Sequence, residues 1–139
     1  MRRKYCFFDY DGTLRSRALD AVPSSARAAL DKLREAGHFI ALATGRLQSD
    51  ALEVLAPCGI DTMVADGGNS ITIDGKLVSI EGMPLAPTRD FVHRLDGDGW
   101  AWAVNHENRR VCLTRDERYA GLVKNLYYTP IVDPQLDID

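Results

Sequence analysis

The strongest structural signal in this 139-residue chain is the stretch YCFFDYDGTL, which occupies positions 5–14. Its first four residues, 5–8, form a short apolar run rich in aromatic side chains, which predicts a buried strand. The run ends at Asp9, and Gly12, directly after the next carboxylate, indicates a tight turn. The stretch therefore predicts a strand whose carboxyl end presents two carboxylates, Asp9 and Asp11.

Two more apolar runs, at 39–43 and 62–65, predict a second and a third buried strand. A helix is predicted to begin at residues 23–25 and stop at Gly37, and another to cover residues 48–55. Apolar strands that alternate with helices predict a parallel sheet covered on both faces, with right-handed crossovers. The fold class predicted from this order is α/β.

Polar residues follow each predicted strand. Asp9 follows the first, Thr44 follows the second, and Asp66 follows the third. Ligands of such sheets bind at the carboxyl ends of the strands, so these residues are expected to share one rim. Arg46 either faces this rim or lies in the first turn of the next helix. Asp66 either lines a pocket or belongs to a plain turn, and the turn is the preferred interpretation.

Paired carboxylates at a strand end suit phosphoryl transfer. One carboxylate can attack phosphorus to form an acyl-phosphate, and the second can protonate the leaving oxygen and later deprotonate water. The backbone amide of Gly12 can approach an anion closely, and Thr13 adds a hydroxyl. An oxygen-rich site with few protein ligands suits Mg²⁺.

Residues 9–14, DYDGTL, resemble the first motif of the haloacid dehalogenase (HAD) superfamily. Residues 44–46, TGR, resemble its second motif as found in the Cof-type sugar-phosphatase branch. The resemblance implies that Asp9 is the nucleophile and a Mg²⁺ ligand. It implies that Asp11 is the general acid/base and offers Mg²⁺ its backbone carbonyl, and that Thr44 holds a phosphoryl oxygen. The remaining motif positions are then assigned to substrate binding: Gly12, Thr13, Gly45 and Arg46.

The resemblance also implies a domain organisation. The expected fold is a partial HAD-like Rossmannoid parallel sheet with an α+β cap segment inserted after the third strand. The segment between Leu14 and Pro23 is too short for a folded insertion, which favours the later position. We therefore expect the N-terminal half of the core at residues 1–83, ending in a β-hairpin, and a partial cap at residues 84–139.

Within the expected cap, the sequence predicts a helix at 88–95, strands at 100–104 and 110–114, and a helix at 116–126. The tail from residue 129 to 139 contains two prolines and shows no clear period. The hairpin before the cap is predicted from strands at 70–73 and 76–80 around an Asp-Gly turn.

The family pattern needs a later lysine and a later acidic cluster, and neither is found in these residues. Gly97-Asp98-Gly99 has no buried strand before it, and Lys124 fits a solvent-facing helix position. Without these groups Mg²⁺ should bind weakly and the 139 residues alone should be inactive or nearly so. The family sheet also places further strands beside the first one, and without them the run at 5–8 would be an unpaired sheet edge, through which a homodimer is expected.

Composition excludes several function classes. The formal charge of −3 gives no reason to expect nucleic acid or a membrane surface as a partner. No apolar run approaches the ~20 residues that span a bilayer, and no signal peptide is recognised. Three scattered cysteines fit free thiols better than disulfides or a zinc site, which favours a cytoplasmic protein.

The first functional hypothesis is a Mg²⁺-dependent phosphatase that acts on small phosphorylated metabolites, sugar phosphates above all, through an aspartyl-phosphate. The second is a truncated, non-catalytic relative that binds phosphate, metal or a partner. A phosphoryl-accepting receiver domain is disfavoured, because its acceptor aspartate comes on a later strand.

Overall fold

The computed structural model describes residues 2–123 and 128–138. The chain divides into two compact units, the first ending at Glu81 and the second beginning at Gly82. The sequence placed the boundary near residue 83. That the second unit is a cap stays a prediction.

The first unit contains a mixed sheet with the strand order β1-β2-β3-β4-β5. β1, β2 and β3 are parallel, and β4 and β5 add an antiparallel hairpin to the same sheet. This parallel-rich α/β sheet is the fold class that the sequence predicted. The elements are β1 (Tyr5–Phe8), α1 (Ser24–Glu35), β2 (Phe39–Ala43), α2 (Gln48–Cys58), β3 (Met63–Ala65), a 3₁₀ turn (Asp66–Gly68), β4 (Ser70–Ile73) and β5 (Lys76–Ile80).

Helix α2 extends beyond its predicted end at Leu55. Pro57 lies in its last turn, where a proline removes one helical hydrogen bond without interrupting the helix further back. The helix then ends at Gly59, whose φ of 62° is in the left-handed region that terminates helices.

The core of the first unit lies between the sheet and the two helices. Both helices cover the same face, because β1, β2 and β3 follow one another across the sheet through crossovers of one hand. Leu30 of α1, Leu42 of β2 and Met63 of β3 are almost fully buried in this cluster.

The opposite face of β1 is exposed in the part of the chain that the structure describes. Tyr5 is 67% exposed and Phe7 57%, so the prediction of a strand buried on both faces is wrong for these side chains. β1 is an edge strand, bonded to β2 alone among the described residues, and both helices lie on its other face. On β4, Ile71 and Ile73 are also exposed.

The second unit is a small α+β structure. Its sheet has the order β6-β7-β8, with β6 and β7 antiparallel and β7 and β8 parallel. The elements are α3 (Leu85–Gly97), β6 (Val104–Asn105), β7 (Val111–Thr114), α4 (Glu117–Leu122) and β8 (Thr129–Val132).

Two predicted boundaries in this unit are corrected. Helix α3 begins at Leu85 rather than at residue 88, because Pro87 fits the first turn, where its missing N–H has no helical acceptor. The strand predicted at 100–104 forms only at Val104–Asn105. Lys124 and the predicted helical residues 124–126 lie outside the described residues.

Strand β8 was not predicted, because the tail from residue 129 to 139 shows no clear period. Thr129 donates its N–H to the carbonyl of Arg110 at 2.8 Å. Because successive N–H groups of a strand point to opposite sides, the nitrogen of Pro130 faces away from β7 and no ladder bond is lost. None of the helices in residues 2–123 and 128–138 is long and apolar enough to cross a bilayer.

Candidate active site

The loop after β1 alternates between buried anchors and exposed carboxylates. Tyr10 and Leu14 are each 6% exposed and pack into the core cluster, whereas Asp9 and Asp11 are exposed. The N–H of Leu14 donates to the carbonyl of Asp9 at 3.3 Å, which closes the loop. Gly12 has a φ of 85°, a left-handed conformation that favours glycine. The anchors thus hold the two carboxylates outward at the end of the strand.

Asp9 and Thr44 follow neighbouring parallel strands at the same rim of the sheet. Phe8 of β1 is in register with Leu42 of β2, so Asp9 leaves the sheet one residue later and Thr44 two residues later. Thr44 is fixed there by its N–H, which donates to the carbonyl of Val64 at 3.0 Å. The rim predicted from the sequence therefore contains both residues.

The hydroxyl group of Thr44 accepts one hydrogen bond and has its own hydrogen available to donate. Its Oγ1 accepts the backbone N–H of Arg46 at 3.2 Å, and this side chain is only 7% exposed. Among the described residues it donates to no acceptor. A buried hydroxyl that has accepted one bond keeps its hydrogen for an incoming oxygen such as that of a phosphoryl group.

Arg46 turns toward the carboxylates. Its Nε lies 2.7 Å from Asp11 Oδ2 and a terminal nitrogen lies 2.8 Å from Oδ1, a bidentate pair. Its guanidinium also lies over the ring of Tyr10, 4.9 Å from the centroid. Arg15 adds a second contact to Asp11 at 3.1 Å. The assignment of Arg46 to substrate binding stays a prediction.

The pair with Arg46 affects the protonation of Asp11. Hydrogen bonding from Arg46 holds the pKa of Asp11 below its ordinary value and outweighs the partial burial that would raise it. The same pair raises the pKa of Arg46. A general acid must carry a proton, so Asp11 can take that role only when Arg46 moves away, for example to a bound phosphoryl group.

We expect Arg46→Gln to raise the pKa of Asp11 toward its ordinary value, because the strongest hydrogen bond to the carboxylate is lost. Titration of the Asp11 carboxyl carbon by NMR measures this change. Arg34→Gln is the matched control, since Arg34 pairs with Asp31. An unchanged pKa of Asp11 in Arg46→Gln would contradict the assignment.

The pair also makes stability depend on pH. A lowered pKa means that the pair stabilises the fold above the unfolded-state pKa, and that this stabilisation is lost as the pH falls through the folded-state pKa. The Asp11 side chain is 44% exposed, so the contribution is less than about 1 kcal/mol.

Asp66 has the structural role that the sequence favoured. It belongs to a 3₁₀ turn with a φ of 53°, and its N–H donates to the carbonyl of Arg46 at 2.8 Å. Its Oδ2 accepts the N–H of Gln48 at 3.4 Å, at the start of α2. These two hydrogen bonds join Asp66 to the segment that follows Gly45, and Gly45 itself lies in an exposed bend. Sequence reasoning missed this tie and also missed Arg15, because its pair with Asp11 forms within a non-helical loop, where a four-residue spacing does not indicate a contact.

The oxygen atoms at the rim fit part of a Mg²⁺ site. Asp9 offers an exposed carboxylate that makes no hydrogen bond or ion pair within residues 2–123 and 128–138, and the backbone carbonyl of Asp11 stays a second ligand by resemblance alone. No group of three or more His, Cys, Asp or Glu side chains in these ranges could hold a metal ion. Because Mg²⁺ uses one or two carboxylates together with waters and phosphate oxygens, the residues present would hold such an ion only in part.

Comparison with known proteins identifies relatives of both units. The family model described as haloacid dehalogenase-like hydrolase matches residues 6–136. No curated protein sequence matches the chain.

Solved structures with the same fold are numerous among the matches. A phosphatase of the HAD enzyme superfamily from Bacteroides thetaiotaomicron is 25% identical, with a TM-score of 0.76 over 96% of this chain and 50% of its own. A hypothetical protein from Geobacillus kaustophilus is 24% identical, with a TM-score of 0.68 over 96% of this chain and 52% of its own. A HAD subclass IIB sugar phosphatase is 20% identical, with a TM-score of 0.65 over 93% and 52%. The chain therefore spans about half the length of these solved structures.

Proposed function

Because the chain belongs to the haloacid dehalogenase-like hydrolase family, we propose that it carries the nucleophile side of a phosphatase active site. The observation that supports this most directly is the exposed Asp9 carboxylate, which shares a strand-end rim with the Thr44 hydroxyl. Small phosphorylated metabolites are the proposed substrates. Sugar phosphates come first among them, since one relative of the same fold is a sugar phosphatase.

The proposed chemistry has two steps. An Asp9 carboxylate oxygen attacks phosphorus, the ester P–O bond breaks, and the leaving oxygen takes a proton from Asp11. Water, deprotonated by Asp11, then attacks the aspartyl-phosphate and releases inorganic phosphate. Thr44 donates its hydroxyl hydrogen to a phosphoryl oxygen. Gly12, Thr13 and Gly45 remain proposed substrate contacts.

Arg46 links the first step to substrate binding. The guanidinium that forms a bidentate pair with Asp11 can form the same geometry with a phosphoryl group. Transfer of Arg46 to the substrate would free Asp11 to accept a proton. Mg²⁺, held in part by Asp9 and Asp11, would neutralise charge on the transferring group. A cytoplasmic location remains part of this proposal.

The test is phosphate release from a panel of sugar phosphates and other phosphate monoesters. Single-turnover conditions with the protein in excess are appropriate, because the sequence predicts that these 139 residues alone are inactive or nearly so, and one transfer per protein is detectable without turnover. We expect release that needs Mg²⁺ and stops when the ion is chelated. Release that is equal with and without Mg²⁺, or a preference for carboxylic esters, would contradict the proposal.

A second candidate function is a non-catalytic module that binds phosphate, metal or a partner. The observation that favours it is the exposed edge at β1, where Tyr5 and Phe7 present apolar surface beside backbone groups that pair with no other strand in the described part of the chain. The partner proposed here is a second copy of the chain, joined to the first through this edge.

For this pairing, we expect the wild-type chain to associate with increasing concentration in sedimentation experiments. Phe7→Lys should weaken the association, because a charge on an edge strand opposes strand pairing. Leu52→Lys is the matched control, since Leu52 is 40% exposed on α2, away from the edge. Equal association of both variants with the wild type would rule out the β1 edge.

A further inference from the structure

The second unit contains a cavity of its own. It has a volume of about 350 Å³ and lies between the end of α3 and the connection from β7 to α4. This size is within the range of small-molecule sites. All of its lining residues belong to the second unit. They include two tryptophans, Trp100 and Trp102, and charged residues of both signs.

The two indole rings that line the cavity differ in their exposure to solvent. Trp100 is 66% exposed and leaves a flat apolar surface in contact with solvent. Trp102 is 7% exposed and is fixed by its Nε1–H, which donates to Asp96, and by the guanidinium of Arg115, 5.3 Å from its ring centroid. Large exposed aromatic rings are costly to leave in water and are typical of binding sites. The buried indole of Trp102 thus lines the cavity beside the solvent-exposed indole of Trp100.

The charged groups of the cavity are held in pairs. Arg118 donates from Nε to both oxygens of Asp116, at 3.0 Å and 2.9 Å. Arg115 lies 3.8 Å from Asp96, which also accepts from Trp102. These contacts place carboxylate acceptors and guanidinium donors side by side around the cavity. The site therefore offers both kinds of hydrogen-bonding group.

The balance of charge decides between ligand classes. Three carboxylates and two guanidinium groups line the cavity: Asp96, Asp116, Glu117, Arg115 and Arg118. The excess of negative charge disfavours an anion such as phosphate. A hydroxyl group both donates and accepts, so it can bond to a carboxylate and to a guanidinium at once. A neutral ligand with several hydroxyls and an apolar face fits this surface.

We propose that the cavity of the second unit binds a neutral sugar, whose C–H face packs on the Trp100 indole and whose hydroxyls bond to the paired charges around it. No residue of the first unit lines the cavity, so binding does not depend on phosphoryl transfer at Asp9.

The chain supplies a specific reporter for this test, because its only two tryptophans both line the cavity. Titration of the 139-residue protein with D-glucose, D-mannose and D-ribose, followed by the two indole N–H signals in NMR, measures binding. We expect saturable shifts with at least one of these sugars. Inorganic phosphate and tetramethylammonium, at matched concentration, should leave the indole signals unchanged.

Variants locate the site. Trp100→Ala should weaken sugar binding by about tenfold or more, read from the Trp102 signal, which also reports that the unit is still folded. Phe91→Ala is the matched control, an aromatic residue of α3 that is 57% exposed and does not line the cavity. Asp9→Asn should bind sugar like the wild type, which separates this inference from the proposed phosphatase.

Three results would overturn the proposal. One is the absence of any sugar-dependent indole shift, and another is equal affinity in Trp100→Ala and the wild type. The third is a response to phosphate or tetramethylammonium alone, which would assign the cavity to an ion.

Discussion

Asp9→Asn is expected to remove the residual phosphoryl transfer from a sugar phosphate, so that single-turnover release falls to the uncatalysed rate. The amide has no negative charge and is a poor nucleophile, so the aspartyl-phosphate cannot form at this position. Because Asp9 is exposed and its carboxylate makes no hydrogen bond or ion pair among the described residues, the substitution should leave the fold intact. Phosphate release under single-turnover conditions, together with circular dichroism, measures both effects.

The matched control is Asp74→Asn. Asp74 is an exposed carboxylate at the turn between β4 and β5, with a φ of 49°, a conformation that asparagine adopts as readily. This variant removes the same charge from the same unit and should keep the wild-type rate. Equal rates for Asp9→Asn and Asp74→Asn would remove Asp9 from the chemistry.

Leu42→Ala is expected to destabilise the first unit by about 2–5 kcal/mol. Leu42 has no exposed surface, and it lies in β2 between β1 and β3, within the cluster that both helices cover. Truncation removes buried methyl groups and leaves a cavity that a central strand cannot close by moving. Since domains of this size have only about 5–15 kcal/mol of stability in total, the loss should be evident in urea unfolding.

Leu52→Ala is the comparison for this measurement. The leucine at 52 belongs to α2 but is 40% exposed, so its truncation should cost less than about 1 kcal/mol. If the two variants lost the same stability, the packing described for the core would be wrong.

The sequence predicted the first unit well because its strands are continuous apolar runs bounded by clear turn residues. β2 has the predicted limits, and the hairpin forms around the Asp-Gly pair at 74–75. The edge position of β1 was expected from the family resemblance, but the exposure of Tyr5 and Phe7 was not predicted from their own run, because hydrophobicity alone does not say which strand is at the edge. β8 was missed because Pro130 usually argues against a strand, and only its register shows that it costs no hydrogen bond.

The candidate site was also predicted only in part from the sequence. The shared rim of Asp9 and Thr44 followed from the rule that parallel strands end together, and the register of β1 and β2 agrees with it. The bidentate pair of Arg46 with Asp11 did not follow, because those residues come from different loops and the direction of a long side chain is not encoded in spacing. The tie from Asp66 to α2 is equally non-local.

The central claim is that the carboxylate at position 9 becomes phosphorylated. Incubation with Mg²⁺ and a sugar phosphate, followed by acid quenching and peptide mass spectrometry, locates the phosphoryl group. We expect one phosphoryl group on the peptide that contains Asp9, on that residue, and none in Asp9→Asn. A phosphoryl group found on any other residue, or the same labelling in the variant, would contradict it.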